Sequence, residues 1–462
     1  MPAPFRRFIQ RPMMQGASVS FLAKEVKSGE ILYSYDPERK LTPASVTKTI
    51  TTATALELLG KDFRFETSLK YDGNIDNGTL DGNLFICGSG DPTLCSSEME
   101  TAKDSIVALW ASAVKKTGIL KINGRIIADE SIFDTEGVSM KWLREDLGSN
   151  YGQGSYGINI FDNRFNLYLN TDVAGTKPTV LYCEPSMPSL KFYNYLTAQT
   201  IAADSFYITG YPYANERYLY GVVCAKHDHL KIEGDIPDPP LFAAQYFCEY
   251  LKNQGVEIIG EPSCHRLLSQ AGEWPPIERK TLITTHSPTL DKIIRTTNVV
   301  SHNMYADVLV KTLGLRYQPQ AGETISSFEC GTKIVINHWE KKGLNTALLN
   351  LYDGSGLAST DKITTAFLCD LYVYMAKKSD VFNPFFESLP QTGVEGTVRS
   401  FLKGSALQGN RLKSGSMSYV QCYGGYITKN GKQYAVALLV NNFSGKRDMM
   451  RKAIEELFLS LF

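Results

Sequence analysis

Histidine is scarce in this chain, six residues in 462, and none of its nine cysteines is paired in a CxxC. Closed zinc sites draw on such residues at short fixed spacings. The His227-x-His229 pair, with Asp228 between, lacks the further ligands, so no metal and no cofactor is expected. The cysteines (87, 95, 183, 224, 248, 264, 330, 369 and 422) follow no regular spacing, and their odd number leaves at least one thiol free. Apolar neighbours, as at Phe247-Cys248 and Leu368-Cys369, point to buried thiols. Charge of one sign is also missing: 48 Lys and Arg balance 48 Asp and Glu, which argues against a nucleic-acid partner or an anionic membrane surface. No apolar run approaches the roughly 20 residues that span a bilayer, so no transmembrane segment is expected. Met1 to Met14 lacks the apolar core of a signal peptide, which taken literally means a cytoplasmic protein. Repeats and low-complexity tracts are absent, and Gly88-x-Gly90 and Gly152-x-Gly154 fall short of a phosphate-binding fingerprint and read as turns.

What is present is a soluble-type composition, 43% hydrophobic and 21% charged, on a chain long enough for two or three domains. Ser18 to Val26 and Glu30 to Tyr35 read as a β-hairpin turning at Lys27-Ser28-Gly29. Thr42 and Pro43 announce a helix running from Val46 to Leu59 and stopped by Gly60, with Ser45 in its first turn. From Thr67 to about Gly260 the pattern is strand-like, interrupted by a helix expected over Glu98 to Lys116 with Gly118 as its cap. The tyrosine-rich stretch Tyr207 to Tyr220 reads as strand core and surface rather than a carbohydrate platform. Helical patterning returns from Leu290 through Leu313, where Ser301-His302-Asn303 taken alone reads as a polar loop between helices, then over Lys333 to Lys342 and Lys362 to Met375, the last capped by Ser359. Leu412 to Gly415, Val420 to Thr428 and Gln433 to Val440 read as adjoining strands with a hairpin turn at Asn430-Gly431, and Arg447 to Leu459 closes as a helix. An α+β fold follows: one antiparallel sheet, built from both ends of the chain and covered by helices, interrupted by a mostly β inserted region.

Three segments carry chemistry: Ser45-Val46-Thr47-Lys48, Ser301-His302-Asn303 and Lys413-Ser414-Gly415. Each has rivals or bland explanations taken alone. Ser112 to Lys115, Ser359 to Lys362 and Ser400 to Lys403 also read SxxK, while Lys116-Thr117-Gly118 and Lys27-Ser28-Gly29 copy the third segment. Context sets these copies aside as helix ends, helix starts and turns. A serine hydroxyl becomes a nucleophile when a base takes its proton, and Lys48, three residues on, lies on the same helix face as Ser45. To act as that base Lys48 must lose its own proton, which burial or a second cation promotes, and Lys413 is the expected second cation. The backbone N–H of Ser45, at a helix start, suits a developing oxyanion.

SxxK, SxN and KTG or KSG in this order are the signature of penicillin-recognising serine enzymes. With a long insertion after the first motif, the chain resembles the class C penicillin-binding proteins, the D-alanyl-D-alanine carboxypeptidase/endopeptidase family. Gly88-Ser89-Gly90-Asp91-Pro92-Thr93-Leu94, Asp353-Gly354-Ser355-Gly356-Leu357 and Gly393-Val394-Glu395-Gly396-Thr397 extend the likeness over nearly the whole chain. The resemblance implies a β-lactamase/transpeptidase-like domain from 1–68 and 280–462, split by an insert at 69–279 in two parts (69–93 with 165–279, and 94–164). It implies that Ser45 is acylated, Lys48 is its base and Ser301 relays a proton to the leaving amine. Asn303 would hold the substrate amide, Lys413, Ser414 and Ser416 the terminal carboxylate, and Gly415 would complete the substrate-binding set on the same strand. Backbone N–H groups of Ser45 and Ser416 would form the oxyanion hole. Substrates would be peptidoglycan stem peptides ending in D-Ala-D-Ala, with β-lactams as trapping acylators, and the enzyme would be exported, against the literal reading of its N-terminus. Two departures stand out: His302 where Asp or Asn is usual, and Ser414 where Thr is usual. Two alternatives stay open, a serine β-lactamase or esterase on the same scaffold and a non-catalytic penicillin sensor.

Overall fold

The computed structural model of the chain describes residues 2–99, 105–275, 278–320 and 322–462. It divides into two compact units, one of Met1–Phe63 with Thr289–Phe462 and one of Arg64–Pro288.

The first unit is built on a five-stranded antiparallel sheet in the order Arg411–Met417, Val420–Lys429, Lys432–Asn441, Ser18–Glu25, Ile31–Tyr35. The chain ends meet in its centre, where Ser18 pairs with Asn441 and Glu25 with Tyr434. Alternation along Ser18–Glu25 serves both faces. Phe21 and Ala23 join Leu412, Tyr423, Leu438, Ile454 and Phe458 in a core beneath the helices Ala3–Ile9 and Arg447–Leu461. On the other face Ser20 Oγ meets Thr365 Oγ1 at 2.6 Å, and Cys369 Sγ donates to Leu22 O, both from the helix Thr365–Lys378.

The helix Thr47–Leu59 is buried all round from Thr47 to Leu56, not amphipathic. Four of its five threonines survive there because their hydroxyls find oxygens close by. Thr49 donates to Val46 O (2.8 Å), Thr52 to Lys48 O (2.7 Å) and Thr54 to Ile50 O (2.7 Å), while Thr51 reaches Gly354 O at 2.7 Å. Buried in this way, the helix is a rigid mount for whatever its first turn carries.

Several local expectations are corrected. Thr42 does not cap this helix: its Oγ1 donates to Ser359 O, and the chain enters through a 3-10 turn, Ala44–Val46, with Ala44 at φ 47°. The pattern from Leu290 through Leu313 is two helices, Leu290–Val299 and Asn303–Gly314, broken where Ser301 takes φ 63°. Ser359 is not the cap of the later helix, which begins at Thr365 with the Thr364 side chain accepting from Phe367 N. The helix expected over Lys333 to Lys342 starts earlier, at Ser327.

In the second unit, one five-stranded sheet joins Glu66–Tyr71, Leu84–Cys87, Ile126–Asp129, Ser263–Cys264 and Lys280–His286. A four-stranded sheet contains Thr79–Asp81 and Lys121–Ile122, and two three-stranded sheets cover 164–235. Ile126–Asp129 pairs with Leu84–Cys87 and Lys121–Ile122 with Thr79–Asp81, so strands of 94–164 share sheets with strands of 69–93. One apolar core runs from Leu69 to Cys264. The expected helix from Glu98 is described only over Ser105–Lys116, residues 100–104 lying outside the described residues and Glu98 in a turn. Gly118 ends it at φ 78° with its N–H on Lys115 O, which makes Lys116-Thr117-Gly118 a helix terminus. Among the described residues all nine cysteines are free, five of them buried.

Candidate active site

Ser45, Lys48, Ser301, Asn303 and Lys413 to Ser416 all belong to the first unit. The Thr47–Leu59 helix supplies Lys48, and the 3-10 turn before it supplies Ser45, partly exposed at the surface. Lys48 is fully buried, and its Nζ meets three oxygens: Ser45 Oγ at 3.0 Å, Asn303 Oδ1 at 2.6 Å and the Ser355 carbonyl at 2.7 Å. Two of these are amide-type carbonyls that only accept. A neutral Lys48 would spend its two N–H bonds on them and direct its lone pair at the Ser45 hydroxyl, as a general base requires.

Electrostatics favour that state. Burial drives Lys48 down to about 8, against the attraction of Asp307 and Asp353, which hold its proton on. Of the two causes expected, burial or a second cation, burial is the larger. The repulsion between the two lysines weighs on Lys413, which burial and then the Lys48 charge push well below the usual lysine range. Lys413 Nζ donates to Ser301 Oγ at 2.9 Å and to Ser414 O at 2.8 Å, tying the second motif to the third. Ser414 Oγ donates to Thr397 Oγ1 at 2.8 Å, and Ser416 is exposed. His302 is 1% exposed and packs its ring against Tyr305, centroids 4.2 Å apart.

Glycines allow this closeness. A Cβ on Gly415 would lie 2.5 Å from Pro43 O and 2.9 Å from the backbone nitrogens of Ser45 and Val46, so the Arg411–Met417 strand passes directly over the Ser45 turn. Gly356, at φ 77°, would place a Cβ 2.0 Å from Ala44 O, and Gly354 one 2.3 Å from Ala306 O. The turn 353–356 is thereby pressed between the Ser45 turn and the Asn303–Gly314 helix. The left-handed backbone at Ala44 and Ser301 fits the concentration of strain found at working sites.

Sequence reasoning gave no role to Ser355, whose contribution is a backbone carbonyl, nor to Thr397 or Asp307. The glycine-rich stretches around 353 and 393 were the available signal. The decoys lie apart: Lys27-Ser28-Gly29 is a turn with Gly29 at φ 77°, and Lys362 Nζ bonds Thr42 Oγ1 and Ser359 O.

An antiparallel sheet faced by helices, with an SxxK serine and lysine at its edge and SxN and KSG side chains gathered on them, defines the class of penicillin-recognising, β-lactamase/transpeptidase-like serine enzymes. The profile of the D-Ala-D-Ala carboxypeptidase 3 (S13) family matches residues 4–458, and the chain belongs to that family. It is 26% identical over 441 residues to the D-alanyl-D-alanine carboxypeptidase DacB of Haemophilus influenzae, covering 94% of this chain and 88% of that one. A D-alanyl-D-alanine carboxypeptidase of an Actinomadura species is 26% identical over 450 residues, 95% and 80% covered. The crystal structure of penicillin binding protein 4 (dacB) from H. influenzae superposes with a TM-score of 0.83 at 23% identity, covering 100% of this chain and 98% of that one. The same protein complexed with a β-lactam matches with a TM-score of 0.79 at 23% identity, with the same coverage of both chains.

Proposed function

We propose that this chain is a serine D-Ala-D-Ala carboxypeptidase and endopeptidase of peptidoglycan stem peptides, working through an acyl-enzyme on Ser45. The observation that carries the reading is the Lys48 amine, bonded to two carbonyl acceptors and 3.0 Å from the Ser45 hydroxyl.

Lys48 takes the Ser45 proton as Oγ adds to the carbonyl carbon of the penultimate D-alanine. The oxyanion is met by the N–H groups of Ser45 and Ser416. The close pass of Gly415 over Ser45 N supports this placement. The C–N bond then breaks as the proton held by Lys48 is passed through Ser301 to the departing amine, which leaves Lys48 neutral and Ser301 a hydroxyl again. D-Alanine leaves, and water attacks the ester with Lys48 again as base. A D-alanyl cross-bridge in place of the terminal residue makes the same steps an endopeptidase reaction, and β-lactams stop at the ester.

Lys413, with Ser414 and Ser416, takes the substrate's terminal carboxylate, while Asn303 holds the amide. The pair of lysines gives this step a logic. In the empty site repulsion and burial favour a neutral Lys413. An arriving carboxylate restores its charge, and that new cation in turn drives the proton off Lys48 just when a base is needed. His302, packed inside against Tyr305, leaves this part of the site to Ser301 and Asn303. The protein would be exported and act on the cell wall, in the periplasm where the organism has one.

Release of D-alanine from a diacylated D-Ala-D-Ala peptide tests the reading. Turnover by the wild type and none by Ser45→Ala is expected. Rapid penicillin hydrolysis without peptide turnover would replace it with a β-lactamase, and a stable penicillin adduct without peptide turnover would replace it with a sensor.

A further inference from the structure

Behind Lys48 lies an acid that the reaction above leaves without a part. Asp307 sits one turn after Asn303 on the Asn303–Gly314 helix and has no exposure to solvent. Its Oδ1 accepts from Gly354 N at 2.9 Å, and its Oδ2 has no hydrogen-bond partner among the described residues. A carboxyl oxygen left so costs stability, and a fold keeps such a group where it does something else.

The geometry says what. Gly354 begins the peptide stretch whose next carbonyl, Ser355 O, receives Lys48 Nζ at 2.7 Å. Thr51 Oγ1 binds Gly354 O, and Asp353 accepts from Gly356 N at 2.6 Å and Ala358 N at 2.7 Å. The turn is therefore pinned from three sides, and Asp307 is the pin from the helix that also carries Asn303, the other carbonyl acceptor of Lys48.

We propose that Asp307 is a positioning residue for acylation: through Gly354 it fixes the carbonyl of Ser355 on Lys48, and its carboxylate sets how readily Lys48 releases its proton. The groups facing it are Lys48 from the Thr47–Leu59 helix and Asp353 and Asp361 from the 352–361 loop, with Lys311, over the Phe328 ring, on its own helix. Lys413 enters only through Lys48. Burial and then Asp353 push Asp307 well above the usual carboxylate range, the Lys48 charge opposes them by favouring its ionised form, and by reciprocity an ionised Asp307 favours the charged form of Lys48. Asp307 thus holds the base partly protonated in the empty enzyme, so that the substrate carboxylate on Lys413 has a proton to dislodge. This inference rests on the acyl-transfer reading of Ser45.

Asp307→Asn removes the charge and keeps an oxygen for Gly354 N, and Asp307→Glu restores the charge. The acylation rate constant of the full chain with a fluorescent penicillin is followed from pH 5 to 10 for all three proteins, with melting temperatures alongside. Loss of one nearby opposite charge moves a pKa by about one unit or more. The acid limb of Asp307→Asn is expected at lower pH by that amount. One unit below the wild-type limb the variant keeps up to about tenfold more of its own plateau rate. Asp307→Glu brings the limb back. An Asp307→Asn limb coincident with wild type, at whatever plateau, overturns the proposal, as does an Asp307→Asn chain that does not fold, since Asp307 would then be structural. A wild type that is never acylated on Ser45 refutes the site reading itself, a different failure.

Discussion

Replacing Gly415 by alanine tests the construction of the site without touching a side chain that reacts. The added Cβ would stand 2.5 Å from Pro43 O, where ordinary contact begins at 3.4 Å, and 2.9 Å from the nitrogens of Ser45 and Val46. Those neighbours are backbone and cannot swing away, so the strand and the Ser45 turn must part by about 1 Å. An oxyanion donor acts at about 2.7–3.1 Å, and moving it back by that amount leaves no useful hydrogen bond. Losing one such donor costs about 10² to 10³ in rate, while overpacking costs about 1–3 kcal/mol of stability, which a chain of this size survives. Penicillin acylation by stopped-flow, with a thermal melt on the same sample, separates the two effects. The expected outcome is a folded variant whose acylation is slower by about 10² or more. A folded Gly415→Ala that acylates within a few-fold of wild type would refute the argument that this strand closes over Ser45.

The pH dependence of kcat/KM should show an acid limb near 8, because Lys48, lowered from 10.5 to about 8, must be neutral to act and gains that form as pH rises. A profile flat from pH 6 to 9 would deny Lys48 this role. Lys413→Ala should raise KM for a D-Ala-D-Ala peptide by about 10- to 100-fold, the worth of a charge-assisted hydrogen bond. A peptide amidated at its C-terminus should lose affinity in the wild type but little further in Lys413→Ala; equal further loss would place the carboxylate elsewhere. Thr397→Val removes the partner of Ser414 Oγ, 2.8 Å away, and should slow peptide turnover by less than about tenfold with the melting temperature nearly kept.

Much of this arrangement could be read from the sequence because it follows local rules. Spacing of three residues on a helix is enough to bring Lys48 to Ser45, and Asn430-Gly431 is enough to turn the hairpin that carries the sheet centre. What escaped depends on tertiary contact. Ser301-His302-Asn303 could be read as a loop between helices, but not the left-handed φ of 63° that Ser301 takes there. The helix Thr47–Leu59 carries five threonines yet is buried, because four of their hydroxyls reach an oxygen that neighbours or their own turn provide. Ser355 acts through its carbonyl, which no side-chain pattern announces, and Asp307 looks like any acid on a helix until Gly354 is found against it. The low proton affinity of Lys48 was expected from burial or a second lysine, and only the packed structure shows that burial is the larger cause.

The central claim is that Ser45 is the residue acylated. Intact-mass spectrometry of the protein mixed with a penicillin, with a peptide map of the product and Ser45→Ala beside it, addresses it directly. The account predicts one adduct of the mass of the intact penicillin, carried by the peptide containing Ser45 and absent from Ser45→Ala. An adduct on another residue, or one that persists in Ser45→Ala, would contradict it.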